Sequence, residues 1–180
     1  DPIHVAVNLS FKQFADEKFA QTVGNIIDAA GIDARRLEFE LTETAIMSNV
    51  EDIERCMQII REIGPTFSLD DFGTGYSSFA HIQRLPIGAL KIDRGFVQNV
   101  PTTHDDATIV KAMISLAHNL GLKVIAEGAE TGEQVDFLRE HACDQVQGYF
   151  FSRPLPFVEL LDRMQRTFMP AALAASTLTL

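Results

Sequence analysis

The chain has 180 residues, 46% of them hydrophobic and 22% charged, with a formal net charge of −10, so one soluble globular domain with a real core is the natural expectation. The acidic excess excludes a general surface for DNA, RNA polymers or anionic membranes, each of which needs basic residues. It leaves room for a small anionic ligand held locally by metal ions.

No apolar run reaches the roughly 20 residues of a membrane span, and no signal peptide opens the chain, which reads as cytoplasmic. Cys56 and Cys143 fit no metal or disulfide spacing and read as reduced thiols. The chain starts at Asp1-Pro2 without methionine and runs straight into a strand-like segment, which reads as a cut end.

The pattern alternates short strands with amphipathic helices. Residues 3–9 form the first predicted strand, with Ile3, Val5, Val7 and Leu9 on one face and His4, Ala6 and Asn8 on the other. A helix follows, with Asp16 as N-cap, a buried stripe of Phe19, Val23, Ile26, Ile27 and Ala30, and Gly31 as its stop. The second strand, 37–41, sets Leu37, Phe39 and Leu41 against Glu38 and Glu40. Its helix begins near Asn49, buries Ile53, Met57 and Ile60, and stops at Gly64-Pro65.

The third strand, 66–70, turns Phe67 and Leu69 away from Ser68 and Asp70. A glycine-punctuated loop, Asp71-Phe72-Gly73-Thr74-Gly75-Tyr76, and a short helix near 78–84 come next. The fourth strand runs through Leu90 and Ile92, with Lys91 opposite. A long helix over about 105–120 uses Ile109, Met113 and Leu116 and ends at Gly121. The fifth strand covers 123–127 and its helix 132–141; a sixth strand lies near 144–147. The last helix, about 156–168, carries Val158, Leu161 and Met164. His4 faces inward but deep, as a core histidine would.

Repeated β-α units of this length demand parallel strands joined by crossover helices. No glycine-rich dinucleotide fingerprint follows the first strand, which favours a TIM-type (β/α) barrel over a doubly wound sheet. Six β-α units fall short of the eight, and about 250 residues, of a full barrel, so two N-terminal strands are expected to be missing. The domain is expected over 1–168, with 169–180 as a disordered tail.

A barrel predicts polar residues converging at the C-terminal ends of its strands. Asn8, Glu40, Asp70, Lys91, Glu127 and Gln147 each sit at or near such an end. Six inward polar groups would be costly without ions or ligand to compensate. Glu40, Asp70, Asp71 and Glu127, with the amide oxygen of Asn8, make an all-oxygen set suited to Mg²⁺ or Mn²⁺. Two such ions would clamp the attacking and leaving oxygens of a phosphate ester. Lys91 would then neutralise developing phosphoryl charge or orient the nucleophilic water.

Six motifs together resemble the EAL domain family: Val7-Asn8-Leu9-Ser10, Glu40-Leu41-Thr42-Glu43, Asp70-Asp71-Phe72-Gly73-Thr74-Gly75-Tyr76-Ser77-Ser78, Leu90-Lys91-Ile92-Asp93, Val124-Ile125-Ala126-Glu127-Gly128 and Gln147-Gly148-Tyr149. The resemblance implies a phosphodiesterase that opens cyclic di-GMP to linear pGpG with two Mg²⁺ or Mn²⁺ ions. It makes Asn8, Glu40 and Asp70 ligands of the first metal, with Asp70 bridging to a second that Asp71 also binds. Glu127 would serve the metal and water cluster, Lys91 the catalytic water, Gln147 the water and substrate site. Glu43 would anchor the loop from Asp71 to Ser78.

A homodimer and an upstream sensory or GGDEF-type domain are family-level expectations. The family's Glu-Ala-Leu motif, itself a metal ligand, falls before Asp1, so the isolated chain is expected to be inactive or poorly folded. Two rivals remain: a catalytically inactive EAL-type module that binds cyclic di-GMP or a protein, and an enolase-like lyase.

Overall fold

The computed structural model describes residues 3–46, 50–74 and 82–168. Six strands, β1 (Val5–Asn8), β2 (Leu37–Thr42), β3 (Thr66–Phe72), β4 (Ala89–Ile92), β5 (Lys123–Ala126) and β6 (Gln145–Val146), form one sheet in sequential order. Every neighbouring pair is parallel. A doubly wound sheet reverses its strand order part-way. This one never does, so it curls in one sense as a half-barrel. Among the described residues β1 and β6 each have one strand neighbour, which leaves the sheet open.

The helices are α1 (Phe11–Phe14), α2 (Phe19–Ala30), α3 (Glu43–Ile46), α4 (Val50–Ile63), α5 (Arg94–Val97), α6 (His104–Asn119), α7 (Gly132–Glu140) and α8 (Phe157–Phe168). The core lies between the sheet and these helices. Strand alternation supplies Phe39, Leu41, Phe67, Leu69, Leu90, Ile92 and Val124, all buried. The α4 stripe of Ile53, Met57 and Ile60 is buried as its spacing predicts. Most of the short helix expected over 78–84, and the tail over 169–180, lie outside the described residues.

Several sequence expectations need correction. The N-cap position of α2 is Lys18; Asp16 sits two residues earlier and accepts a hydrogen bond from the Lys18 backbone N–H at 2.9 Å. Ile26 is 62% exposed, while Ala20, Val23 and Ile27 form the buried face of α2. On α6 the buried face is Ala107, Val110, Ile114 and Ala117, and Ile109 is 39% exposed. Small alanines let that helix approach the sheet closely, so the face of closest contact is not the one richest in large side chains. His4 is exposed, because β1 is an edge strand. On α8, Val158 is 76% exposed and Leu161 is exposed too. That helix is tied down by Arg163, which donates to the Phe151 carbonyl and to Ser152 Oγ.

Candidate metal centre

Strand register decides which side chains share the inner face. Asn8, Glu40 and Ser68 stand in one row across β1, β2 and β3. Asp70 is two residues further along β3, opposite Thr42. Between β3 and β4 the register shifts: Leu69 faces Leu90 and Phe72 faces Ile92. Two residues, Asp70 and Asp71, therefore stand against the single residue Lys91, which is the geometry of a β-bulge. Asp71 adopts φ 55°, the left-handed region that a non-glycine residue rarely enters, and its N–H donates to Asp70 Oδ1 at 3.0 Å. Here the strained backbone brings successive carboxylates to one side instead of opposite faces.

Lys91 is the hub. Its Nζ lies 2.7 Å from Glu40 Oε1, 3.3 Å from Asp70 Oδ1 and 2.6 Å from Glu127 Oε1, with its side chain 3% exposed. One ammonium thus faces three carboxylates. Burial by itself pulls the Lys91 pKa down, but hydrogen bonds to Glu127 and Glu40 and the charges of Glu127 and Asp70 outweigh it and push it up. Lys91 is a fixed cation throughout the neutral range. Glu127 is also pushed up: burial raises its pKa, Lys91 lowers it, and the charges of Asp70 and Glu40 raise it again. Both directions are consistent, since Lys91 sees three anions whereas Glu127 sees one cation and two further anions. Asp71 is raised by burial and by the charges of Asp70 and Asp93, against a lowering by Lys91.

Carboxylate oxygens of Asp70, Asp71 and Glu127 lie within 4.8 Å of one another, close enough to hold one metal ion. Glu40 lies against Lys91 and is not in that group. Asn8 is exposed at the end of β1, in register with Glu40. Gln147 is exposed just beyond β6, its N–H donating to the Ala126 carbonyl at 2.8 Å. Glu43 is buried at the start of α3 and accepts a hydrogen bond from the Gly73 N–H at 3.2 Å. Phe72 is buried in the core, and Tyr76 lies outside the described residues. Asp93 caps α5 by accepting from the Gly95 N–H at 2.9 Å.

One feature, the β-bulge, stands beyond the sequence reading. The bulge has no sequence signature, because it arises from pairing. Ser68 is fully buried on the inner face beside these groups, and the alternation that turns Asp70 inward signals it.

The order of the six strands and the hub on Lys91 are now joined by a direct match: residues 1–154 fit the family model described as the EAL domain. The chain belongs to the EAL domain family. It is 45% identical over 170 residues, 94% of its length, to "Cyclic di-GMP phosphodiesterase NbdA" of Pseudomonas aeruginosa, covering 22% of that protein. A solved structure titled "PaMucR Phosphodiesterase, c-di-GMP complex" superposes with a TM-score of 0.82 at 39% identity, over 87% of this chain and 64% of that one. The EAL domain of Mycobacterium smegmatis DcpA gives a TM-score of 0.87 at 32% identity, over 93% of this chain and 75% of that one. The chain thus spans about a fifth of the length of the curated relatives it matches, 22% and 23% for NbdA and MucR.

Proposed function

We propose that this EAL domain hydrolyses cyclic di-GMP to linear pGpG with two divalent cations, Mg²⁺ or Mn²⁺. Asn8, Glu40, Asp70, Asp71 and Glu127 would hold them. The observation that carries the reading is the buried Lys91 against Glu40, Asp70 and Glu127, with Asp71 brought alongside by the bulge. So many carboxylates around one ammonium leave a partly buried negative excess, which is costly until further cations arrive. The donor set fits hard cations, being all oxygen. NbdA is named a cyclic di-GMP phosphodiesterase, and the MucR phosphodiesterase structure is a complex with c-di-GMP.

The cations, when bound, supply Lewis-acid charge to the phosphodiester and a more acidic attacking water. The protein's own groups do the rest. Lys91, kept protonated, is a hydrogen-bond donor and positive charge for phosphoryl oxygens, not a base. Glu127, raised in pKa and partly exposed, is the carboxylate best suited to take up a proton from the attacking water. Water's oxygen would bond to phosphorus as its proton passes to Glu127, the bond to the 3′ oxygen would break, that oxygen would take up a proton from solvent, and a 5′-phosphate would remain. Gln147 would orient water or substrate at the strand ends, and Glu43 would hold the loop through Gly73.

The test is hydrolysis of cyclic di-GMP by the purified full-length protein in Mn²⁺ or Mg²⁺, read by chromatography of the nucleotide products, beside Glu127→Gln. Metal-dependent pGpG formation is expected, falling about 10²–10⁴-fold in the variant. A folded, Mn²⁺-loaded protein that binds cyclic di-GMP without turnover would instead make it a regulatory binding module.

A further inference from the structure

Ser68 lies on the inner face of β3, fully buried, two residues before Asp70. Among the described residues its Oγ is the one buried side-chain nitrogen or oxygen without a hydrogen-bond partner. Across the sheet Ser68 is in register with Glu40 on one side and Ala89 on the other. Ala89 offers only a methyl. The polar side chain directly across the ladder from Ser68 is therefore that of Glu40; the same face carries Thr66 and Asp70 along β3, and Lys91 two residues beyond Ala89.

A buried hydroxyl with no partner is destabilising, and alanine would fill a strand interior without that cost. Orphans of this kind point to a partner that arrives in another state of the site. Asp70 is held by Lys91 as well, but the carboxylate directly across the ladder from Ser68 is that of Glu40. Its Oε1 is engaged by Lys91 at 2.7 Å. On the metal-dependent reading above, on which this inference rests, that carboxylate turns to a cation. Ligating carboxylates are themselves held by hydrogen bonds from the next layer of residues.

We propose that Ser68 is a positioning residue for Glu40: its hydroxyl donates to the Glu40 carboxylate when that carboxylate ligates a divalent cation, and stands unpaired when Lys91 alone holds it. Ser68 then tunes cation affinity without touching substrate.

The test titrates Mn²⁺ into the purified protein, reading free Mn²⁺ by electron paramagnetic resonance, for the wild type, Ser68→Ala, Glu40→Gln and the double variant. Thermal unfolding in EDTA is measured alongside. Ser68→Ala is expected to weaken Mn²⁺ binding about tenfold, with a metal-free unfolding midpoint no lower than wild type. In the Glu40→Gln background it is expected to add nothing. Three results would overturn the proposal: unchanged Mn²⁺ affinity in Ser68→Ala, an equal loss in the Glu40→Gln background, or a lowered metal-free midpoint. A wild type that binds no Mn²⁺ at all sinks the metal reading itself, and the inference with it.

Discussion

At the scale of single residues, Lys91 holds the centre together before any cation binds. Its ammonium is the near partner of Glu40, Asp70 and Glu127, and among the described residues it is the one cation paired with these three carboxylates. Removing one partner of a buried ion pair is far more damaging than replacing the whole pair, because the survivors remain buried and charged. Lys91→Met is therefore expected to lower metal-free stability by about 3–5 kcal/mol, measured by urea denaturation in EDTA. Saturating Mn²⁺ should recover more stability in the variant than it adds to the wild type, since the cation takes over the neutralising role. Loss of stability that Mn²⁺ does not relieve would mean that Lys91 serves packing alone. Much of this centre was legible in the sequence. Alternation set Phe39 against Glu40, Leu69 against Asp70 and Leu90 against Lys91, and each apolar partner is buried on the helix side. The way Asp71 joins Asp70 was not legible, because the bulge depends on the β3–β4 register.

At the scale of elements, the loops after β5 and β6 lock to each other. The Ala129 N–H donates to the Gln147 carbonyl at 3.2 Å, and the Phe150 N–H donates to the Ala129 carbonyl at 3.0 Å. Gly148 lies so close that a methyl there would run into the Ala129 backbone. Gly128, at φ 76°, packs against the Arg94 side chain. These contacts fix the segment that carries Glu127 against the one that carries Gln147. Gly148→Ala should force the loops apart, costing about 1–3 kcal/mol as overpacking does, and should weaken Mn²⁺ binding through the displaced Glu127. A variant with wild-type Mn²⁺ affinity would show that Glu127 is held from elsewhere. Helix faces were less legible than strand faces. The α6 reading set Ile109, Met113 and Leu116 inward; Met113 and Leu116 are partly buried against the core, Ile109 is exposed, and Ala107 and Ala117 lie on the fully buried side. A helix packed tightly on a strand layer selects small residues at closest approach, and hydrophobicity alone does not report this.

For the whole molecule, charge and openness act together. The chain carries a net charge of −10, and Asp70, Asp71 and Glu127 cluster at the strand ends of a sheet that does not close among the described residues. An anionic diester approaching that cluster is repelled until cations are in place, so substrate and metal should bind cooperatively. On the metal-dependent reading the same cations would bind only the folded arrangement, since the bulge that joins Asp70 to Asp71 exists only in the paired sheet. Binding to the native state alone stabilises it by RT ln(1 + [L]/Kd), about 2.7 kcal/mol at a concentration 100 times Kd. Mn²⁺ at that excess is expected to raise the urea midpoint accordingly, and EDTA to reverse it. General screening of the acidic surface would act differently, because NaCl matched for ionic strength would reproduce it. A site-specific effect requires that NaCl give only a small part of the shift and that Asp71→Asn remove most of the rest. Equal shifts from Mn²⁺ and NaCl would reduce the cluster to one more acidic patch on an acidic protein, and the hydrolytic reading would lose its metal.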